Sequence, residues 1–211
     1  MYSSLNQHIR HILKWFTVIT VICAAIFVIL NASYFAKLLG FYADHTFVTE
    51  QQRAEHIAET PAKLDPNTVY IPSLNIKAPI IFVDEEKSTE AEFQKALQNG
   101  VVHYPKTAGI GEIGNTYIFG HSSDFAFSKG NYKTVFALLP NIQLGAEIMV
   151  SNDQGKVFTY KVYDMFVAKK TDIQLLDQNT NGKSILTLQT SYPVGTALKR
   201  YIVKAEFVRS E

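Results

Sequence analysis

The sequence predicts a mainly β protein: a closed or nearly closed β-barrel with short helices, preceded by one N-terminal transmembrane helix. Three observations carry this. From Thr68 onward, apolar residues recur in short runs at the two-residue period of strands, punctuated by glycine, proline and asparagine. Only two short helical stretches interrupt those runs and no β-α-β alternation is visible, so a barrel is the natural architecture. Finally, 22 residues between Lys14 and Lys37 carry no charge at all.

Composition narrows the function. Lys and Arg total 20 against 19 Asp and Glu, so nothing argues for a nucleic-acid partner. The lone cysteine, Cys23, sits in the apolar run, which excludes a disulfide framework and a cysteine metal site within one chain. Histidines at 8, 11, 45, 56, 103 and 121 lack metal-ligand spacing, and the acidic trio Asp84, Glu85, Glu86 lacks the pattern of a calcium loop. No cofactor or metal is therefore expected.

Taken in order, residues 15–36 reach about 33 Å as a helix, enough to cross a hydrocarbon core. Trp15 and Tyr34 suit interfacial anchors, and Arg10 and Lys14 before the run place residues 1–14 in the cytoplasm. The run exceeds the roughly 7–15 residues of a signal-peptide core and no A-x-A site follows, which favours an uncleaved signal anchor. Residues 43–67 are polar, with a possible short helix over 47–60 before Pro61 and Pro66, and 37–67 reads as an extracytoplasmic stalk. The folded domain is then 68–211.

Within that domain, Pro72 and Pro79 suggest an edge strand followed by a bend. Thr89 and Glu92 have capping-box spacing for a helix that Gly100 stops. Gly109, Gly111 and Gly114 mark turns before a strand at 116–119, which runs into Gly120-His121. Gly120 leaves room for a substrate backbone beside His121. The run NYKTVFALLP predicts a short helix with Tyr132, Val135, Phe136 and Leu139 on one face, ended by Pro140. A hairpin follows, turning at Asn152 to Gly155, and TDIQLLDQNTNGKS is a loop that delivers the chain to Ile185.

The stretch Ile185–Val208 holds the candidate site. Ile185, Thr187, Gln189 and Ser191 share one strand face, and Arg200, Ile202, Lys204 and Glu206 share one face of the next. If Tyr192 to Lys199 closes an antiparallel hairpin, Ser191 and Arg200 are cross-strand neighbours with Cβ atoms about 4.5–5.5 Å apart. By residue type alone, His103 and His121 each fit a core or surface histidine. His121 stands out because it ends a strand, as Ser191 does, so the two can meet at one rim of a sheet.

These residues resemble the sortases, membrane-anchored cysteine transpeptidases of bacterial surfaces. Thr187-Leu188-Gln189-Thr190-Ser191 resembles the family's T-L-x-T-C motif with serine in the cysteine position. Arg200, nine residues on, falls where the family has its arginine, and GIGEIGNTYIFGHSS resembles the segment carrying the family's histidine at His121. The resemblance covers about Val69 to Phe207; TSYP and the KRYIVKAEF ending look most like class D and neighbouring sortases.

The resemblance implies a sortase-type barrel and a reaction. A sorting-signal peptide of LPxTG type, from a surface protein or pilin, would be cut between Thr and Gly. The acyl group would pass to an amine on a cell-wall precursor or a pilin lysine. His121 would protonate the leaving amine, Arg200 would stabilise the oxyanion, and Thr190 would touch substrate or oxyanion. The catalytic domain would lie outside a bacterial cell membrane, held by its N-terminal helix. Ser191 is the departure, because a hydroxyl lacks the acidity that makes a thiol effective there. It reads as an introduced Cys→Ser change that silences the enzyme, with two alternatives open. One is a natural serine with slow acyl transfer; the other is a pseudoenzyme, a membrane-tethered domain that binds a sorting signal without cutting it.

Overall fold

Strand pairing closes on itself. The strands are β1 (Thr68–Ile71), β2 (Ile76–Phe82), β3 (Val101–His103), β4 (Gly114–Phe119), β5 (Glu147–Ser151), β6 (Val157–Lys169), β7 (Ser184–Tyr192) and β8 (Lys199–Ser210). They bond in the order β1-β2-β3-β4-β7-β8-β6-β5, and β5 returns to β1 through Val69↔Val150 and Tyr70↔Met149. This computed structural model describes residues 2–47, 64–123 and 129–211. The expected barrel is therefore present and fully closed.

Closure corrects the reading of the first strand. β1 and β2 form a hairpin through a 3₁₀ turn at Pro72–Leu74 and a left-handed Asn75, and neither is an edge. Pro79 pairs with Thr68 at the last β1–β2 position, and β3 takes over from Ile80. Its missing N–H thus falls where β2 changes partners, which a closed sheet tolerates as an edge would.

Two of the pairings are parallel, β2 with β3 and β4 with β7. The first is a β-α-β unit, contrary to the expectation of none. The connection carries α3 (Glu90–Leu97), whose N-cap Thr89 accepts from the Glu92 N–H at 3.3 Å as the capping box predicts. A parallel neighbour needs such a crossover, and one instance leaves no repeating signature in sequence. Gly100 follows the helix, but its role is packing: a Cβ there would collide with the Pro79 carbonyl.

The barrel interior is filled by Val69, Ile71, Val101, Ile118, Ile148, Val150, Leu186, Leu188, Val203 and Ala205, plugged by Phe136 and Leu139. Those last two come from the stretch predicted as a short helix. It is instead a succession of turns, with Val135 N bonded to Tyr132 O, Ala137 N to Thr134 O and Leu139 N to Phe136 O, running into a 3₁₀ turn that contains Pro140. Three-residue and 3.6-residue periods bury nearly the same side chains over so short a run. The buried face is as expected; the backbone is not.

At the N-terminus, α1 (Tyr2–Leu30) and α2 (Ala32–Phe47) meet at Asn31, whose side chain donates to Phe27 O at 2.9 Å. Among the described residues, His8–Leu30 is the one stretch of helix long and apolar enough to cross a membrane. The segment predicted as stalk begins as helix laid on the barrel. Lys37 Nζ donates to Thr134 O at 3.0 Å, and Leu38 and Phe41 pack against the core. The spacing of those two apolar residues gives α2 a face to bury. The helix predicted over 47–60, with His56 and Pro61, lies almost entirely outside the described residues.

Candidate active site at one end of the barrel

The site is built from two strand registers. In the β7–β8 hairpin Ser191 and Arg200 are direct cross-strand partners, as the alternation predicts. The strands run one pair further, to Tyr192↔Lys199, so the loop is 193–198 and not the eight residues expected. β4 lies parallel to β7 on its other side, with Phe119↔Gln189 as the last pair. His121 and Ser191 each follow that pair by two residues, at the same end of the barrel.

Hydrogen bonds hold the two strand ends together. Gly120 N donates to Gln189 O at 3.0 Å, and the Thr190 hydroxyl donates to Gly120 O at 2.9 Å. His121 O accepts from Phe136 N at 2.9 Å, fixing the histidine backbone from the opposite side. Thr190, expected to touch substrate or oxyanion, is 1% exposed and faces inward, where it links the two strand ends. Gly120 also has an inward reason: a Cβ would press to 2.7 Å on the Phe136 ring and 2.9 Å on Val101. Its glycine is required by core packing.

Thr190→Val is isosteric and removes only the bond to Gly120. The expected result is a loss of about 1–2 kcal/mol in unfolding free energy, because a buried carbonyl loses its partner. Urea denaturation of the two proteins measures it.

Arg200 is partly exposed, and its Nη1 donates to Lys199 O at 3.0 Å and Ala197 O at 3.3 Å. Among the described residues, Nε and Nη2 make no bond, so two edges of the fork can still meet an oxygen. The guanidinium lies within electrostatic reach of Tyr117 on β4. Burial pushes the Tyr117 hydroxyl well up, against the pull of the Arg200 charge. That hydroxyl donates to Gln189 Oε1 at 2.6 Å, joining β4 to β7 one step above Ser191.

The motif alone assigns neither Tyr117 nor Gln189 a part in the site, although Gln189 shares the Ser191 face. The signal was present, since Tyr117 lies four residues before His121 and Gln189 two before Ser191, each in phase for the same strand face. Two flanking segments that the sequence predicts only as loops are ordered around the site. In 170–183, a 3₁₀ turn at Ile173–Leu176 packs Leu175 with Tyr117, Ala168 and Ile202. Gln178 there receives the N–H groups of Ala108 and Asn115 at 3.0 and 3.1 Å. In 193–198, Gly195 has φ +84° and donates to Ser123 Oγ at 2.9 Å. Asp124, the nearest candidate to orient His121, lies outside the described residues.

His103 does not join this group. It stacks on Phe82 with ring centroids 5.0 Å apart, and Nε2 lies 2.9 Å from Ala108 O. Burial lowers its affinity for a proton, partly offset by the Ala108 carbonyl and Glu112. The unfolded chain therefore binds the extra proton first as pH falls. The contribution of neutral His103 is complete above the ordinary value of about 6.5 and is lost as pH drops from there toward the depressed folded value. His103→Gln is expected to flatten the pH dependence of the urea midpoint between about pH 7.5 and 5.5. An unchanged slope would remove His103 as its source.

The closed eight-stranded barrel with its few short helices is the sortase fold. Sortase C-1 from Actinomyces oris (formerly Actinomyces naeslundii) superposes with a TM-score of 0.56 at 25% identity, over 76% of this chain and 83% of that one. A Clostridium perfringens sortase D5 transpeptidase gives 0.55 at 24%, over 85% and 100%. Streptococcus pneumoniae sortase C gives 0.55 at 19%, over 67% of this chain and 65%, just under two thirds, of that chain. No curated protein matches the chain in sequence. The Sortase domain family model matches residues 69–208, and the chain belongs to the sortase family.

Proposed function

We propose that this chain is an extracytoplasmic sortase-type transpeptidase, tethered by its N-terminal helix, whose nucleophile position is filled by serine. Residues 1–14 lie in the cytoplasm, 15–36 anchor the protein, 37–67 connect, and 68–211 form the catalytic domain. The observation that carries the reading is the convergence of Ser191, Arg200 and His121 at one barrel end through the β7–β8 and β4–β7 registers.

The substrate is an LPxTG-like sorting signal. Position 191 supplies the atom that attacks the Thr–Gly carbonyl, and the C–N bond breaks with a proton passing from His121 to the leaving glycine amine. Arg200 receives the oxyanion, using the donors that its loop contacts leave open. Thr190 holds the two strand ends in register. An amine acceptor then takes the acyl group, and no cofactor enters. S. pneumoniae sortase C is described in terms of pilin substrate specificity and the C. perfringens protein as a transpeptidase. Both fit a substrate that is a surface protein or pilin. The class D-like reading is kept on the TSYP and KRYIVKAEF stretches.

Serine at 191 favours a second reading, a tethered domain that binds the sorting signal without cutting it. Titrating the chain with a labelled LPxTG-type peptide tests what the two share. Saturable binding that Arg200→Ala weakens is the expected result. A folded chain that binds a scrambled peptide equally well would remove both.

A further inference from the structure

The barrel end that carries Ser191 and Arg200 is also a basic rim studded with aliphatic side chains. Lys169 and Lys199 are direct cross-strand partners at the last β6–β8 pair, a placement of like charges that is unfavourable in water. Lys170 follows, and among the described residues none of the three lysines forms an ion pair. Beside them stand Ile173, 80% exposed, and Leu198, 71% exposed. Asp172 is the acidic residue of this run, and its Oδ1 accepts from Gln174 N at 3.2 Å. A surface that keeps cations uncompensated next to unburied aliphatics is matched to a partner that is anionic and apolar at once.

The position of α1 identifies that partner. Asn31, where α1 ends, lies against the loop that carries Leu198: a Cβ on Gly195 would come 3.0 Å from Asn31 Oδ1. The orientation is fixed by α2, through Lys37 on Thr134 O and through Leu38 and Phe41 on the core. With the anchoring helix in a bilayer, its outer end at Asn31 lies beside Gly195, so the membrane surface falls under this rim and not under the opposite one.

We infer that Lys169, Lys170, Ile173, Leu198 and Lys199 form a docking surface for an anionic bilayer. The two aliphatics enter the headgroup layer and the lysines meet lipid phosphates. Position 191, at this same barrel end, then lies near the membrane surface, where a peptide still held in the bilayer would present its emerging end. The inference rests on the membrane anchoring of α1 and not on any chemistry at position 191.

The test uses the full chain in vesicles, with one fluorophore at a time. Native Cys23 reports on anchoring, Leu198→Cys on the rim, and Ile113→Cys, at 73% exposure before the start of β4, on the opposite end of the barrel. The latter two carry Cys23→Ser. In vesicles containing phosphatidylglycerol, the Leu198→Cys label is expected to be quenched by a headgroup-depth lipid quencher and shielded from iodide. The Ile113→Cys label should remain open to iodide. Lys169→Gln with Lys199→Gln, or high salt, should restore iodide access at Leu198→Cys. Equal iodide access at both ends, with the Cys23 label among the acyl chains, overturns the docking surface and leaves anchoring intact. Equal shielding in purely zwitterionic vesicles overturns its anionic character. An aqueous Cys23 label overturns the anchoring and this inference with it.

Discussion

Ser191→Cys is expected to convert the chain into an active transpeptidase. The rate of cleavage of an LPxTG-type peptide should rise on the order of 10³-fold or more, the scale on which covalent enzymes depend on their nucleophile. A thiol with an ordinary value of about 8.5 is already a few per cent ionised at neutral pH, and a neighbouring cation increases that fraction. Arg200 is the cross-strand partner of position 191, so the cation is in place. Position 191 is only partly buried, and a single oxygen-to-sulfur exchange at a strand end displaces nothing in the core. The thiolate attacks the Thr carbonyl, the Thr–Gly bond breaks, and a thioester remains until an amine displaces the thiolate. Intact mass before and after hydroxylamine reads that intermediate directly. A folded Ser191→Cys protein that binds the peptide yet forms no adduct and no product would leave the non-catalytic binding domain as the better reading.

That experiment depends on geometry that was partly written in the sequence. The Ser191–Arg200 pairing was legible because a one-residue slip in a strand exchanges every side chain between faces, and Leu186, Leu188, Val203 and Ala205 must all face the core. Closure of the barrel was legible only as a class. The contacts that close it, Val69 with Val150 on β1 and β5, join residues far apart in sequence that carry no mutual label. The parallel β4–β7 pairing is of the same kind, and it is what sets His121 at the same end as Ser191.

Glycine shows a different limit. Gly120 invited a functional explanation because it precedes His121, whereas the space it leaves is taken by Phe136 and Val101 from within. Sequence announces that a side chain is missing but not which neighbour needs the room. The same holds for Thr190, whose hydroxyl is spent on Gly120 O, and for Gln189, whose side-chain amide oxygen accepts from the Tyr117 hydroxyl. In each case a polar residue in a motif has a partner that only the folded neighbour strand supplies.

Removing either partner of the nucleophile is expected to undo the gain. In the Ser191→Cys background, His121→Ala should lower kcat/KM by about 10²–10⁴-fold, the usual contribution of a positioned acid or base. Arg200→Ala should cost about 10²–10³-fold, the effect of losing one oxyanion donor. The two losses should differ in kind. Without His121 the leaving amine has no proton source, so a substrate with a better leaving group, such as a thioester or activated ester in place of the Thr–Gly amide, should recover much of the rate. Without Arg200 that substrate should gain little, because the oxyanion forms whichever group departs. Arg200→Lys separates charge from shape: a lysine keeps the cation but not the planar fork, and the bonds to the carbonyls of Ala197 and Lys199 that now aim the guanidinium would not survive in the same geometry. If the loop contacts matter as proposed, Arg200→Lys falls near Arg200→Ala. Activity close to that of Ser191→Cys alone, in either the His121→Ala or the Arg200→Ala variant, would sink the role assigned to that residue.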